Sequence, residues 1–226
     1  MITLVFSDTK RSLTYLDKIV KNKIKFQKII LYSKKKKEVY KFLRKKKLTN
    51  FLTFLPTDNV NSAILEKQIK KYKSKFNIIS TYPGEIIKNL SLLKYKLLHC
   101  HPGNLPMFKG STTIYYTIIL NKKICVSLFE ISKKIDSGKI LYKKYFNIPK
   151  KLISIEKDFD SKIRALTLVD YLQNNFKYRN FKSKKNYLPY YIVHPIIRQI
   201  VLNKSYLKWN RLNSSNLDKV IIIFNN

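Results

Sequence analysis

Met1-Ile2-Thr3-Leu4-Val5-Phe6-Ser7 opens the chain, and after Asp8 and Thr9 the stretch Lys10 to Lys21 follows. The first stretch is a short apolar run with little alternation. That pattern suits a strand buried on both faces, as a parallel sheet requires. The second carries Leu13, Leu16, Ile19 and Val20 at helical spacing, an apolar stripe on an otherwise polar helix.

Working outward, the alternation repeats. Ile29 to Tyr32 reads as a strand, and Lys34 to Lys47 as a lysine-rich helix with Val39, Phe42 and Leu43 on one side. Phe51 to Leu55 is a short strand. Asn59 to Tyr72 is a helix with Val60, Ile64 and Ile69 as core candidates. Phe76 to Thr81 and Lys96 to Cys100 are two further strands. Strand and helix in turn predict an α/β protein: a Rossmann-like, mostly parallel sheet with helices on both faces.

The second half changes style. Ser111 or Thr112 can cap a helix that runs to about Leu120. Ile124 to Ile131 and Gly138 to Phe146 read as two strands joined by a loop. Glu156 to Phe176 is a long helix with Ile163, Leu166, Val169 and Leu172 at helical spacing. After Lys177 the pattern blurs, and Leu188 to Leu207 receives no assignment. The expected organisation is a catalytic domain over 1–176 and an extension over 177–226, packed on or beside it and too short for a complete second domain.

Composition narrows the function. The 226 residues are 45% hydrophobic, enough for a buried core, and 4 glycines and 7 prolines exclude collagen-like and disordered classes. No apolar run approaches the roughly 18–20 residues of a membrane helix. The start runs into Asp8 and Lys10 and does not read as a secretory signal. Cys100 and Cys125 offer neither disulfide nor zinc spacing, so a reducing cytoplasm is the expected location. Lysine and arginine number 47 against 13 acidic residues, a net charge of +34. The lysines are spread over the whole chain, which points to compositional bias, and runs such as Lys34 to Lys37 and Lys45 to Lys47 read as solvated helix faces. Such a field still attracts polyanions without specificity.

The rare residues gather in one window. All four glycines (Gly84, Gly103, Gly110 and Gly138) lie there with His99 and His101, two of the three histidines. Glycine goes where backbone takes positive φ or approaches something closely, and histidine exchanges protons near neutral pH. Leu98-His99-Cys100-His101-Pro102-Gly103-Asn104-Leu105-Pro106 comes off a predicted buried strand, where open parallel sheets bind ligands. Strand alternation puts His99 and His101 on one side and Cys100 on the other. Downstream, Ile135-Asp136-Ser137-Gly138 sets a carboxylate in the loop between two strands. A carboxylate there can accept a hydrogen bond from an imidazole, fixing its tautomer and favouring its charged form.

Taken together, H-P-x-x-L-P, then Lys109-Gly110, a helix, a strand and D-x-G resemble the folate-dependent formyltransferase family. Tyr82-Pro83-Gly84-Glu85-Ile86 resembles its loop before the catalytic strand. Lys162-Ile163-Arg164-Ala165-Leu166 resembles its helical I-R-A-L stretch. The likeness covers about residues 76–170, and its specificity lies in the combination. It implies the formyltransferase fold and transfer of a formyl group from 10-formyltetrahydrofolate to an amine. It implies His101 and Asp136 as catalytic residues. His99 stands where the family has an Asn that donates a hydrogen bond to the formyl oxygen, and an imidazole can also donate one. The folate would lie against Tyr82, Gly84, Ile86 and Ile135, and no metal is required. Family members that act on methionyl-tRNA carry a separate C-terminal barrel, which favours a small amine here, such as an amino sugar nucleotide, over tRNA. His99 and the charge together motivate the alternative, a catalytically weakened scaffold that binds nucleic acid or other polyanions.

Overall fold

Ile2–Ser7 (β1) lies inside a seven-stranded sheet, in a computed structural model that describes residues 1–121, 123–152, 154–174, 181, 187–190 and 193–203. The remaining elements follow as α1 (Lys10–Lys21), β2 (Lys28–Tyr32), α2 (Glu38–Lys45), β3 (Leu52–Leu55), α3 (Ala63–Tyr72), β4 (Phe76–Ser80) and β5 (Leu97–His101). Then come β6 (Lys109–Gly110), α4 (Thr113–Asn121), β7 (Ile124–Glu130), β8 (Ile140–Phe146), α5 (Asp160–Gln173), β9 (Pro189–Tyr190) and α6 (Pro195–Leu202). The strand order is β3-β2-β1-β4-β5-β7-β8. Neighbours from β3 through β5 are parallel, while β7 and β8 are added antiparallel. The sheet is therefore α/β and mostly parallel, as the sequence predicts.

Every residue of β1 is buried, because its side chains alternate between two cores. Leu4 and Phe6 join the larger core with Leu16 and Ile19 of α1, Val39 and Leu43 of α2, and Leu168 of α5. Val5 joins Ile30, Tyr32, Ile79 and Leu97 against Leu65 and Ile69 of α3. Helices cover both faces, and the apolar run of β1 follows from that. The chain winds from β1 outward to β3, then returns to place β4 on the other side of β1. The reversal falls between β1 and β4, at whose carboxyl ends open sheets of this kind bind ligands. There the Ser7 hydroxyl donates to the Ser80 carbonyl at 3.0 Å.

Three helices start later than the periodicity suggests. Lys34 to Lys37 are exposed and precede α2. The Asp8 carboxylate accepts from the backbone N–H of Lys37 (2.8 Å) and Val39 (3.1 Å), which sets the helix start. Before α3, the Val60 N–H donates to Glu85 Oε1 at 3.0 Å, so residues 59–62 serve a loop and not a helix. The long helix expected from Glu156 begins as a π-helical turn over Ile155–Phe159 and becomes α-helical at Asp160. In the unassigned stretch after 187, β9 pairs with β6, and His194 Nδ1 caps α6 by accepting from the Ile196 N–H at 3.2 Å. Helix α6 packs on α4. The expected boundary at 176–177 and most of the 177–226 extension lie outside the described residues. Among the described residues, no helix is long and apolar enough to cross a membrane.

Candidate active site

β5 ends in His99-Cys100-His101, and β7 runs antiparallel beside it with His101 opposite Ser127 and His99 opposite Phe129. Alternation puts both imidazoles on one face, where each stands edge-on to Phe129, at ring-centroid distances of 6.0 and 6.5 Å. Cys100 points into the larger core, and burial pushes its thiol up to about 12.

His101 is buried. Its Nε2 lies 2.7 Å from the Phe108 carbonyl, which can only accept, so Nε2 carries the hydrogen. The same nitrogen is 3.0 Å from Thr113 Oγ1, whose hydroxyl donates to the Pro102 carbonyl at 3.2 Å. The second ring nitrogen, Nδ1, faces Asp136 Oδ2 at 3.4 Å. That carboxylate oxygen also accepts the Gly110 N–H at 2.7 Å. With Nε2 committed as a donor, a neutral ring presents a lone pair to a carboxylate. A proton taken up on Nδ1 would place the ring's positive charge in ion-pair range of that carboxylate. Burial pulls the His101 imidazolium below its ordinary range, and the Asp136 charge opposes that pull.

Local backbone delivers these groups. Asp136 sits in the left-handed region at φ 47, an uncommon conformation for a residue with a side chain. A Cβ at Gly138 would lie 1.6 Å from the Glu130 carbonyl oxygen, so only glycine lets the β7–β8 loop fold back tightly there. Gly103 serves a different end. A Cβ there would meet His101 Nε2 at 2.6 Å and both the Phe108 carbonyl oxygen and Thr113 Oγ1 at 2.7 Å. It leaves room for the hydrogen bonds of His101. Ser127 holds the same loop, donating to the Gly103 carbonyl at 2.7 Å and accepting the Leu105 N–H at 3.1 Å. Sequence reasoning does not find Thr113, Ser127 or Phe129, because their roles depend on strand pairing and loop packing that no local pattern encodes.

His99 is half-buried, and its Nδ1 lies 3.2 Å from the Ile79 carbonyl, again an acceptor only, so Nδ1 carries the hydrogen. Burial, then the nearby guanidinium groups of Arg11 and Arg164, hold its pKa well below the ordinary histidine value. The ring is neutral near pH 7. Arg164 of α5 donates to the Cys100 carbonyl at 3.1 Å and to Asp160 Oδ1 at 2.9 Å. Arg11 of α1 donates to Ser80 Oγ at 3.2 Å and to the Thr81 carbonyl. The I-R-A-L arginine is thus a strut between α5 and β5.

The expected folate residues lie in two loops. Tyr82 packs edge-on to Tyr32 at 5.8 Å. The turn after it is tied by Glu85, which accepts from Tyr32 Oη at 2.9 Å and the Tyr82 N–H at 2.7 Å. Gly84 has φ 78 and is exposed. Ile86 and Ile135 are exposed apolar side chains, at 51% and 42%. No hydrogen bond among the described residues joins the 82–86 turn to His101 or Asp136. Ile131 packs both on the core that holds Tyr82 and on that of Phe129. Among the described residues, no group of three or more His, Cys, Asp or Glu is arranged to hold a metal ion.

Comparison with known proteins follows the same lines. No protein-family model matches the chain. A methionyl-tRNA formyltransferase of Wolbachia pipientis is 30% identical over 97 residues, 41% of this chain and 31% of that protein. The chain thus spans about a third of that relative's length. Among solved structures, a phosphoribosylglycinamide formyltransferase from Bacillus halodurans superposes with a TM-score of 0.59 at 16% identity, over 77% of this chain and 95% of that one. A sugar N-formyltransferase from a Shewanella species gives 0.56 at 18% identity, over 89% and 86%. In part of its sequence this chain is similar to methionyl-tRNA formyltransferases, and in fold to other formyltransferases. Its fold is theirs, with the histidine of H-P-x-x-L-P and the aspartate of D-x-G facing each other at the rim of the sheet.

Proposed function

We propose that the chain moves a formyl group from 10-formyltetrahydrofolate to an amine, with the described part of residues 1–176 as the catalytic unit. The observation that carries the reading is the buried His101 at the carboxyl end of β5, with Nε2 donating to a carbonyl and Nδ1 facing the Asp136 carboxylate at 3.4 Å. Formyl transfer needs a group that exchanges protons, because the amine nitrogen loses a proton and the departing folate nitrogen gains one. Asp136 orients His101 and keeps its charged form accessible inside an apolar site. Exposed Ile135, next to Asp136 in the chain, and exposed Ile86 are apolar surfaces that suit the faces of a flat heterocycle. Tyr82 and Gly84 shape the turn that carries Ile86.

The test is formylation of a panel of amines, from amino sugar nucleotides to methionyl-tRNA, with 10-formyltetrahydrofolate as donor and mass spectrometry as readout. Product is expected with at least one amine, and Asp136→Asn should cut kcat by about 10²-fold while keeping the melting temperature. No product, together with no thermal stabilisation by a folate analogue, overturns the reading. A second reading has its own support in the exposed lysines of 34–37 and 45–47: a scaffold that binds polyanions. Binding to RNA that survives Asp136→Asn, in a protein that ignores folate, favours it.

A further inference from the structure

At the position of His99 the resemblance implies a hydrogen-bond donor, and the structure supplies the opposite. The β4–β5 ladder ends at Ile78 and Leu98. One residue further, the Ile79 carbonyl takes its hydrogen from His99 Nδ1 at 3.2 Å. A neutral imidazole has one hydrogen, so Nε2 keeps a bare lone pair. That nitrogen has no hydrogen-bond partner among the described residues, and the residue is half-buried. Protonating it would add a cation beside Arg11 from α1, Arg164 from α5 and His101 on the same strand. The Ile79 and Phe129 sides contribute no charge to offset it. The lone pair is therefore a fixed feature of the site near neutral pH.

We propose that His99 Nε2 is a preset acceptor that receives an N–H of the incoming amine and takes its proton as the nitrogen bonds to the formyl carbon. The inference rests on the formyl-transfer reading and changes the role of one residue within it. The amine lone pair forms the new C–N bond, and the carbonyl π pair moves onto oxygen. The nitrogen, now cationic, passes one proton to Nε2. As the oxygen pair re-forms the carbonyl, the bond to the folate nitrogen breaks with its electron pair. That nitrogen takes a proton from the His101–Asp136 pair, which is refilled from the solvent pool that His99 discharges into. The products are a formamide and tetrahydrofolate. A neutral imidazole suits a nitrogen that becomes acidic only after attack, because it is free to accept at neutral pH.

Two measurements decide it. The chain has three histidines, so ¹⁵N-histidine NMR of the full chain can be assigned with single variants. A bare Nε2 on His99, persisting below the pH at which ordinary histidines titrate, is expected; a hydrogen on Nε2 overturns the inference whatever the activity. In the formylation assay, with methionyl-tRNA and an amino sugar nucleotide as the amines, His99→Asn replaces the acceptor with an amide like the family's. It should lower kcat by about 10²-fold with little change in KM, and His99→Asp, which keeps an acceptor, should lose less. His99→Asn with kcat within about twofold of the parent overturns the acceptor role. Bare Nε2 in a protein that formylates no amine of the panel overturns the proton step, while the tautomer stands; the formyl-transfer reading falls with it when a folate analogue also fails to stabilise the protein. Formylation by a protein with hydrogen on Nε2 overturns this inference and leaves that reading intact.

Discussion

A methyl group at position 103 would sit 2.6 Å from His101 Nε2, closer than van der Waals contact permits, and the ring would have to give way. Gly103→Ala should therefore cost about 1–3 kcal/mol of stability, as overpacking does, and lower formyl transfer more than its melting temperature alone would explain. Urea melts beside kcat check both. Acid should also weaken the fold. His99 and His101 have folded-state pKa values below the reference of 6.5, in both cases chiefly through burial. As pH falls through that value the unfolded chain binds protons that the folded chain refuses. The stability linked to the neutral rings is present above that pH and is lost as pH drops towards the depressed folded values. Thermal melts between about pH 7 and 5 should show a falling melting temperature, shallower in His99→Asn. Both histidines stand out in the sequence by rarity and spacing. Their opposite tautomers do not, since each is set by a carbonyl, Phe108 or Ile79, that folding brings to one ring nitrogen.

Helix α1 matches its apolar stripe from first residue to last, because its cap is local: Thr9 Oγ1 accepts the Ser12 N–H at 3.2 Å. Helices α2 and α3 do not match, because their starts are controlled by Asp8 and Glu85, far away in sequence. Asp8→Ala removes two acceptors from the first turn of α2. It should destabilise the protein by about 1 kcal/mol, as loss of a helix cap does, and hydrogen exchange should quicken in residues 38–45. An unchanged exchange pattern would show that α2 is held by packing of Val39 and Leu43 alone.

At the scale of the whole molecule, 47 basic side chains face 13 acidic ones, and several acids are committed inside the fold: Asp8, Glu85, Asp136 and Asp160. The folded chain repels itself. Its melting temperature should rise as sodium chloride is raised to about 0.5 M, and RNA binding should weaken steeply over the same range. A melting temperature insensitive to salt would mean that the cations are too dispersed to matter. The sequence by itself determined the alternation of strands and helices, since burial on both faces of a sheet leaves apolar runs that any reader can see. It also marked His101 and Asp136, through rare residue types at the loops where such sheets bind ligands. Only the tertiary structure decided what those groups do to one another. A proton's place on an imidazole depends on which carbonyl or carboxylate lies within about 3 Å of each nitrogen, and those partners come from strands and loops that meet only when the chain has folded.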